Sequence, residues 1–205
     1  KGHTNARYDL GVSYDNGDLG LTHSRTKANE LWALDAAQGH AYAQFNLGNS
    51  YREGRGDLAI DFNRCVALWE QSAKQGVLSA QFHLARLYCL GSKDGTPMTI
   101  PMNSQLSFKW NLAAAKQRHV KAMMRIGLAY RTGRGVVQNH GLAVEWYKKA
   151  AELGDGNAQT LVGRSFEKGI AVAVDLVQSL FWYKKAAAQG NQGGIDGVER
   201  LAGVG

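Results

Sequence analysis

Between Ala122 and Thr132 the apolar positions fall three and four residues apart, with Ile126, Ala129 and Tyr130 on one side. That period predicts a helix. Gly133-Arg134-Gly135 interrupts it. A second run then brings Leu142, Ala143, Trp146, Tyr147 and Ala150 onto one face and stops at Gly154, as a helix with a C-terminal glycine does. The stretch reads as a helix–turn–helix hairpin. Neither stripe is covered by the hairpin alone, so the hairpin needs neighbours.

The same pattern recurs along the chain. Trp32, Trp69, Trp110, Trp146 and Trp182 are spaced 37, 41, 36 and 36 residues apart and account for all five tryptophans. Gly11, Gly48, Ala85, Gly127 and Gly163 form a second series, and Tyr14, Tyr51, Tyr88, Tyr130 and Phe166 a third. Gly39, Gly76, Gly154 and Gly190 end second helices, with Arg118 standing in that place in the third repeat. A period of 36–37 residues with two helices per period predicts an all-α solenoid. The repeats run over residues 3–39, 40–76, 77–118, 119–154 and 155–190, within one domain spanning 1–205, and residues 191–205 form a C-terminal capping segment. In that segment Ile195, Val198 and Leu201 are placed to cover the open end of the fifth repeat, and residues 201–205 are expected to fray.

A glycine inside each first helix costs about 1 kcal/mol relative to alanine. Its repetition implies a close approach, with the tryptophan of the second helix packing over the small residue. Asp61 or Asn63 is placed to cap the second helix of repeat two. His40 and His119 occupy equivalent repeat starts and read as caps rather than metal ligands. The third repeat carries a longer loop, from Gly91 to Asn103, with an apolar tip at Met98, Ile100 and Met102 that either folds back or touches a partner.

These residues resemble the Sel1-like repeat family, kin of the tetratricopeptide repeats. The first half of its pattern is matched by Ala122, Ile126, Gly127, Tyr130, Gly133 and Gly135, and again by Ala43, Leu47, Gly48, Tyr51, Gly54 and Gly56. Ala143, Trp146, Tyr147, Ala150, Ala151 and Gly154 match the second half. The resemblance implies a right-handed α-solenoid of about five repeats, a non-catalytic scaffold or adaptor that binds a protein or peptide in a concave groove lined by the first helices. A cysteine-rich bacterial branch is linked to β-lactamase-like or penicillin-binding activity. This chain lacks that branch's cysteine pair in every repeat, having only Cys65 and Cys89.

Charge narrows the choice of partner. The chain carries a net +7, and residues 86–149 hold eleven basic and two acidic side chains. First-helix positions that vary between repeats are the candidates for contact: Asn46, Asn49, Arg52, His83, Arg86, Arg125 and Arg131, across repeats two to four. Their basic character favours an acidic protein or peptide. The lysines and arginines lie on both helices and in turns, and no recognition helix or RNA clamp is present, which argues against nucleic acid. An architectural segment of a longer solenoid is the alternative reading.

No catalytic constellation is evident: the sequence has no H-E-x-x-H, no C-x-x-C and no phosphate loop following a strand. No cofactor or metal is implied. No run of 18 apolar residues occurs. The compartment is left open, because a removed secretion signal leaves no trace, and so is bridging of Cys65 and Cys89.

Overall fold

The computed structural model describes residues 2–91 and 100–203, with side chains from Ala6 onward. All regular structure among them is helical: α1 (Gly2–Asn16), α2 (Arg25–Ala37), α3 (Ala41–Glu53), α4 (Phe62–Lys74), α5 (Leu78–Leu90), α6 (Ser104–Lys116), α7 (Val120–Thr132), α8 (His140–Glu152), α9 (Gly156–Lys168), α10 (Leu176–Ala187) and α11 (Gln192–Ala202). They form two compact units, Lys1–Asn103 and Ser104–Gly205. In the first, consecutive helices from α1 to α5 pack on one another. In the second the same holds from α6 to α11, and α11 also lies on α9.

One backbone hydrogen bond closes every repeat. The N–H of the residue that begins the second helix donates to the carbonyl of the aromatic residue near the end of the first. The pairs are Ser24 to Tyr14 (2.9 Å), Asp61 to Tyr51 (2.8 Å), Asn103 to Tyr88 (2.8 Å), Asn139 to Tyr130 (2.8 Å) and Asp175 to Phe166 (3.0 Å). The long loop of the third repeat therefore closes on the same bond as the short turns. Ser24, Asp61, Asn139 and Asp175 also accept from a backbone N–H three residues on, satisfying a donor that the first turn leaves unpaired. Asp61, not Asn63, is the cap of α4. His40 and His119 cap first helices through Nδ1, accepting from Ala43 and Ala122 at 3.1 Å.

Counting from these caps corrects the tryptophan series. Trp32 and Trp69 stand eight residues after Ser24 and Asp61, whereas Trp146 and Trp182 stand seven after Asn139 and Asp175. The position eight after the cap is filled by Tyr147 and Tyr183. These tyrosines pack over the glycines: a Cβ on Gly127 would lie 2.6 Å from Tyr147 Cδ1, and one on Gly163 would lie 2.8 Å from Tyr183 Cδ1. In the first unit the rings over Gly11 and Gly48 are Trp32 and Trp69, with the Gly48 Cβ 2.6 Å from Trp69 Cδ1. The expected close approach is present, but Trp146 does not make it. Trp146 is half-buried, with the Lys149 ammonium 4.3 Å from its ring centroid.

A second device joins successive hairpins. Gln44, Gln81 and Gln159 are buried and donate through Nε2 to Ala36 (3.2 Å), Ala73 (3.0 Å) and Ala151 (3.2 Å). Each acceptor is a carbonyl in the last turn of the preceding second helix that already accepts from the N–H of Gly39, Gly76 or Gly154 at 3.0 Å, so the glutamine adds a second bond from the next hairpin. In repeat four Met123 takes the place of the glutamine.

The second helices end as the sequence indicates. Gly39, Gly76, Gly154 and Gly190 have positive φ, and Arg118 adopts the same conformation at φ 64°. Cys65 on α4 is fully buried, Cys89 on α5 is half-buried, and both are free thiols. Burial pushes the Cys65 thiol up to about 12.

The terminal helix differs from the expectation. It runs unbroken through Leu201 to Ala202, so fraying does not begin at Leu201. Gly194 and Gly197 are its buried residues, placed against Ala186 and Tyr183, while Ile195, Val198 and Leu201 are only half-buried. The absence of side chains lets α11 lie flat on α10. Arg200 then clasps Glu167 through Nε (2.7 Å) and Nη2 (2.8 Å), and the Tyr183 hydroxyl donates to the same carboxylate at 2.6 Å.

Candidate functional site

The sequence-derived contact residues fall on both units. In the first unit, Asn46 is committed within the fold, its Nδ2 donating to the Tyr8 hydroxyl at 3.3 Å. Asn49 is half-buried, and its Oδ1 has no hydrogen-bond partner. Arg52 pairs with Glu53 and lies 5.5 Å from the Trp69 ring centroid. His83 stands edge-on to Phe45 at 5.4 Å and to Trp69 at 5.2 Å. Burial pulls its pKa below the ordinary imidazole value, and the Arg52 and Arg86 charges pull it further. Arg86 is exposed. Arg52, His83 and Arg86 thus form one electrostatically linked cluster beside Trp69.

In the second unit, Arg125 and Arg131 share a cavity of about 500 Å³. It is lined along α7 by Lys121, Met124, Arg125, Leu128 and Arg131, and on the other side by Tyr147, Asp155, Asn157 and Leu161. The α7 residues recur at helical spacing and so present one face. Leu128 is 44% exposed, Met124 and Leu161 are half-buried, and Lys121 and Arg131 are exposed. The site therefore combines an apolar floor with three cations. The Asp155 carboxylate is already engaged as the cap of α9, accepting from Ala158 N–H at 2.8 Å. Burial raises the Tyr147 hydroxyl above its ordinary pKa and the Arg131 charge opposes that rise. A volume of this size suits a few peptide residues or one small ligand.

The loop tip divides. Met98 lies outside the described residues. Met102 is 72% exposed, and Ile100 is half-buried. Their backbone closes around Gly91, whose added Cβ would lie 3.0 Å from the Ile100 carbonyl.

Among the described residues, no three His, Cys, Asp or Glu side chains are grouped so as to hold a metal ion. Nor is any helix among the described residues long and apolar enough to cross a membrane. Sequence reasoning missed the apolar floor. Leu128 and Leu161 sit in the same two register places as Asn49 and Asn46 but are not among the candidates drawn from the sequence.

The profile of the Sel1 repeat matches five times, at residues 4–40, 41–77, 78–119, 120–155 and 156–191. A Sel1 repeat protein from Oxalobacter formigenes is similar over 92% of this chain and 74% of its own, at 31% identity and a TM-score of 0.76. The antigen c5321 of uropathogenic Escherichia coli, described as protective and as having an SLR fold, is similar over 93% of this chain at 30% identity and a TM-score of 0.78. The chain spans 39% of the length of c5321. A comparison with curated proteins found no match.

Proposed function

Because the chain belongs to the Sel1 repeat family, whose repeats generally serve protein interaction, we propose that it is a non-catalytic scaffold that captures an acidic peptide segment. The observation that carries this reading is the cavity over α7, where Lys121, Arg125 and Arg131 surround Met124, Leu128 and Leu161. An extended segment would set its carboxylates against the cations and an aliphatic or aromatic side chain on the apolar floor. Partial exclusion of water in a cavity strengthens such charge pairing relative to an open surface. The apolar floor supplies affinity that salt does not screen. The Arg52, His83 and Arg86 cluster of the first unit is a second, separate contact face of the same basic character.

The expected behaviour is selection of acidic–apolar sequences from a peptide library, with at least tenfold weaker binding by the Arg125→Glu/Arg131→Glu variant and an unchanged helical spectrum. Unaltered capture by that variant would remove the site assignment. Sequence-blind binding of oligonucleotides that vanishes between 50 and 200 mM salt, on the order of the loss seen for phosphate contacts, would replace the peptide with nucleic acid. Hydrolysis of generic esters or β-lactams would overturn the non-catalytic reading.

A further inference from the structure

Repeats four and five build one three-residue arrangement and differ at a single member. In repeat five the Glu167 carboxylate, twelve residues after the α9 cap, accepts from the Tyr183 hydroxyl at 2.6 Å and from Arg200 at 2.7 and 2.8 Å. Tyr183 stands eight residues after the α10 cap, and Arg200 nine after the α11 cap. The same counts in repeat four give Arg131 on α7, Tyr147 on α8 and Arg164 on α9. The phenol and one guanidinium are retained, and the carboxylate is replaced by a second guanidinium.

Those three side chains line a recess of about 40 Å³ that adjoins the larger cavity and shares Arg131, Tyr147 and Leu161 with it. Its other walls are chiefly apolar, with Val144 from α8 and Ile170 from the turn after α9. Among the described residues no carboxylate lines it, and neither Arg131 nor Arg164 makes an ion pair. Tyr147 is only 4% exposed. Among the described residues its hydroxyl has no hydrogen-bond partner, unlike that of Tyr183. Two guanidinium groups that line one small recess repel each other until a negative group joins them. Repeat two fills the same places with Arg52, Trp69 and Arg86. There, however, Arg52 pairs with Glu53, and the Trp69 N–H donates to the Phe45 carbonyl.

We infer that the recess is a receptor for a carboxylate carried on an aliphatic stem, the side chain of a glutamate in the captured segment. That carboxylate takes the place Glu167 fills in the next repeat, accepting from the Tyr147 hydroxyl and from Arg164, with Arg131 as a further donor. The volume is roughly three times the space one water needs, enough for the carboxylate and the methylene beside it. Val144, Leu161 and Ile170 suit the methylene. The inference rests on the peptide reading above and adds to it one side chain at one place.

Titration of the full chain with sodium butyrate, which reproduces a glutamate side chain from its Cα, tests the site without a peptide. NMR signals of the Tyr147 ring and the Arg164 guanidinium should shift saturably, and butyramide should leave them unmoved. Arg164→Gln and Tyr147→Phe should each weaken butyrate roughly tenfold. Arg164 is exposed and Tyr147→Phe keeps the ring over Gly127, so both variants fold. Arg131→Glu supplies a carboxylate from within the chain. It should close the recess to butyrate and raise the melting temperature by about 2–4 °C, more than Arg131→Gln does, and adding Arg164→Gln should remove that gain. No butyrate shift, equal shifts with butyramide, or a lower melting temperature for Arg131→Glu than for Arg131→Gln would overturn the inference. Tighter binding of inorganic phosphate than of butyrate would overturn it too and assign the recess to a phosphate group. End-blocked peptides carrying one glutamate should be captured better than their glutamine counterparts; capture that needs a free C-terminus instead would overturn the side-chain assignment. The peptide reading fails separately, if a chain that binds butyrate selects no acidic sequences, and it survives if acidic sequences are selected by a chain that ignores butyrate.

Discussion

The two units fill the same gap with different rings. Over Gly11 and Gly48 in the first unit stand the indoles of Trp32 and Trp69; over Gly127 and Gly163 in the second stand the phenols of Tyr147 and Tyr183. The turns differ as well. The cap stands ten positions after the closing carbonyl in repeats one and two, and nine positions after it in repeats four and five. What stays constant is the count from the cap into the second helix. The cap fixes the helix phase, the phase fixes which residue points at the glycine, and residue type follows. The phenol also brings a hydroxyl to the far side of the gap, where in Tyr183 it holds Glu167. Trp69 spends its N–H on the Phe45 carbonyl at 3.3 Å.

The sharpest way to break this comparison is to delete the rings. Tyr147→Ala and Trp69→Ala should each cost about 3–5 kcal/mol, as buried aromatic truncations do, whereas Trp146→Ala should cost about 1 kcal/mol or less. Urea unfolding of the three variants decides it, and a larger loss for Trp146 than for Tyr147 would restore the tryptophan series. Gly127→Ala gains about 1 kcal/mol of helix propensity but forces the Tyr147 ring to move, so a net loss of about 1–3 kcal/mol is expected. Combining it with Tyr147→Ala should recover most of that loss, a coupling that a double-mutant cycle reads directly.

Smaller effects test the caps and turn ends that set the count. Arg118 sits in the left-handed region where the other repeats carry glycine, so Arg118→Gly should stabilise by about 1 kcal/mol. His119 accepts a cap bond through Nδ1, which requires the imidazole to be neutral. Burial, with the Lys121 charge adding to it, lowers its pKa from the ordinary 6.5. The folded state then binds fewer protons than the unfolded state, so this stability is fully present above pH 6.5 and is lost as pH falls through the lowered value. His119→Asn keeps the cap without the titration and should flatten part of the acid-side decline in melting temperature. His83 shifts in the same direction and will account for some of the slope that remains.

Much of the architecture was legible in the chain because glycines end the helices and hydrophobic spacing has a single period. The hairpins, the caps at His40 and His119, and the close approach at the internal glycines all follow from local chemistry. The ring assignment did not follow, because five tryptophans invite alignment by identity while the structure aligns by distance from a cap. The glutamine bonds were missed for a related reason: Gln44 has no local role, and its value appears only when the preceding helix delivers the Ala36 carbonyl. At the candidate site, Arg125 and Arg131 could be placed on one helix face from sequence. Their apolar surroundings could not, since Leu161 and Tyr147 arrive from α9 and α8. His83 posed the opposite problem. Its position in the first helix suggested an open contact, and the rings of Phe45 and Trp69 half-enclose it.

Cys65 carries one more consequence. A thiol with a pKa near 12 is thiolate at roughly one part in ten thousand at pH 8, and with no surface exposed it cannot meet an alkylating reagent while α4 stays in place. Iodoacetamide uptake at this residue therefore records how often the second hairpin opens, without denaturant and without an engineered cysteine. Peptide mass spectrometry would separate it from the half-buried Cys89, so the chain contains its own clock for the breathing of a single repeat.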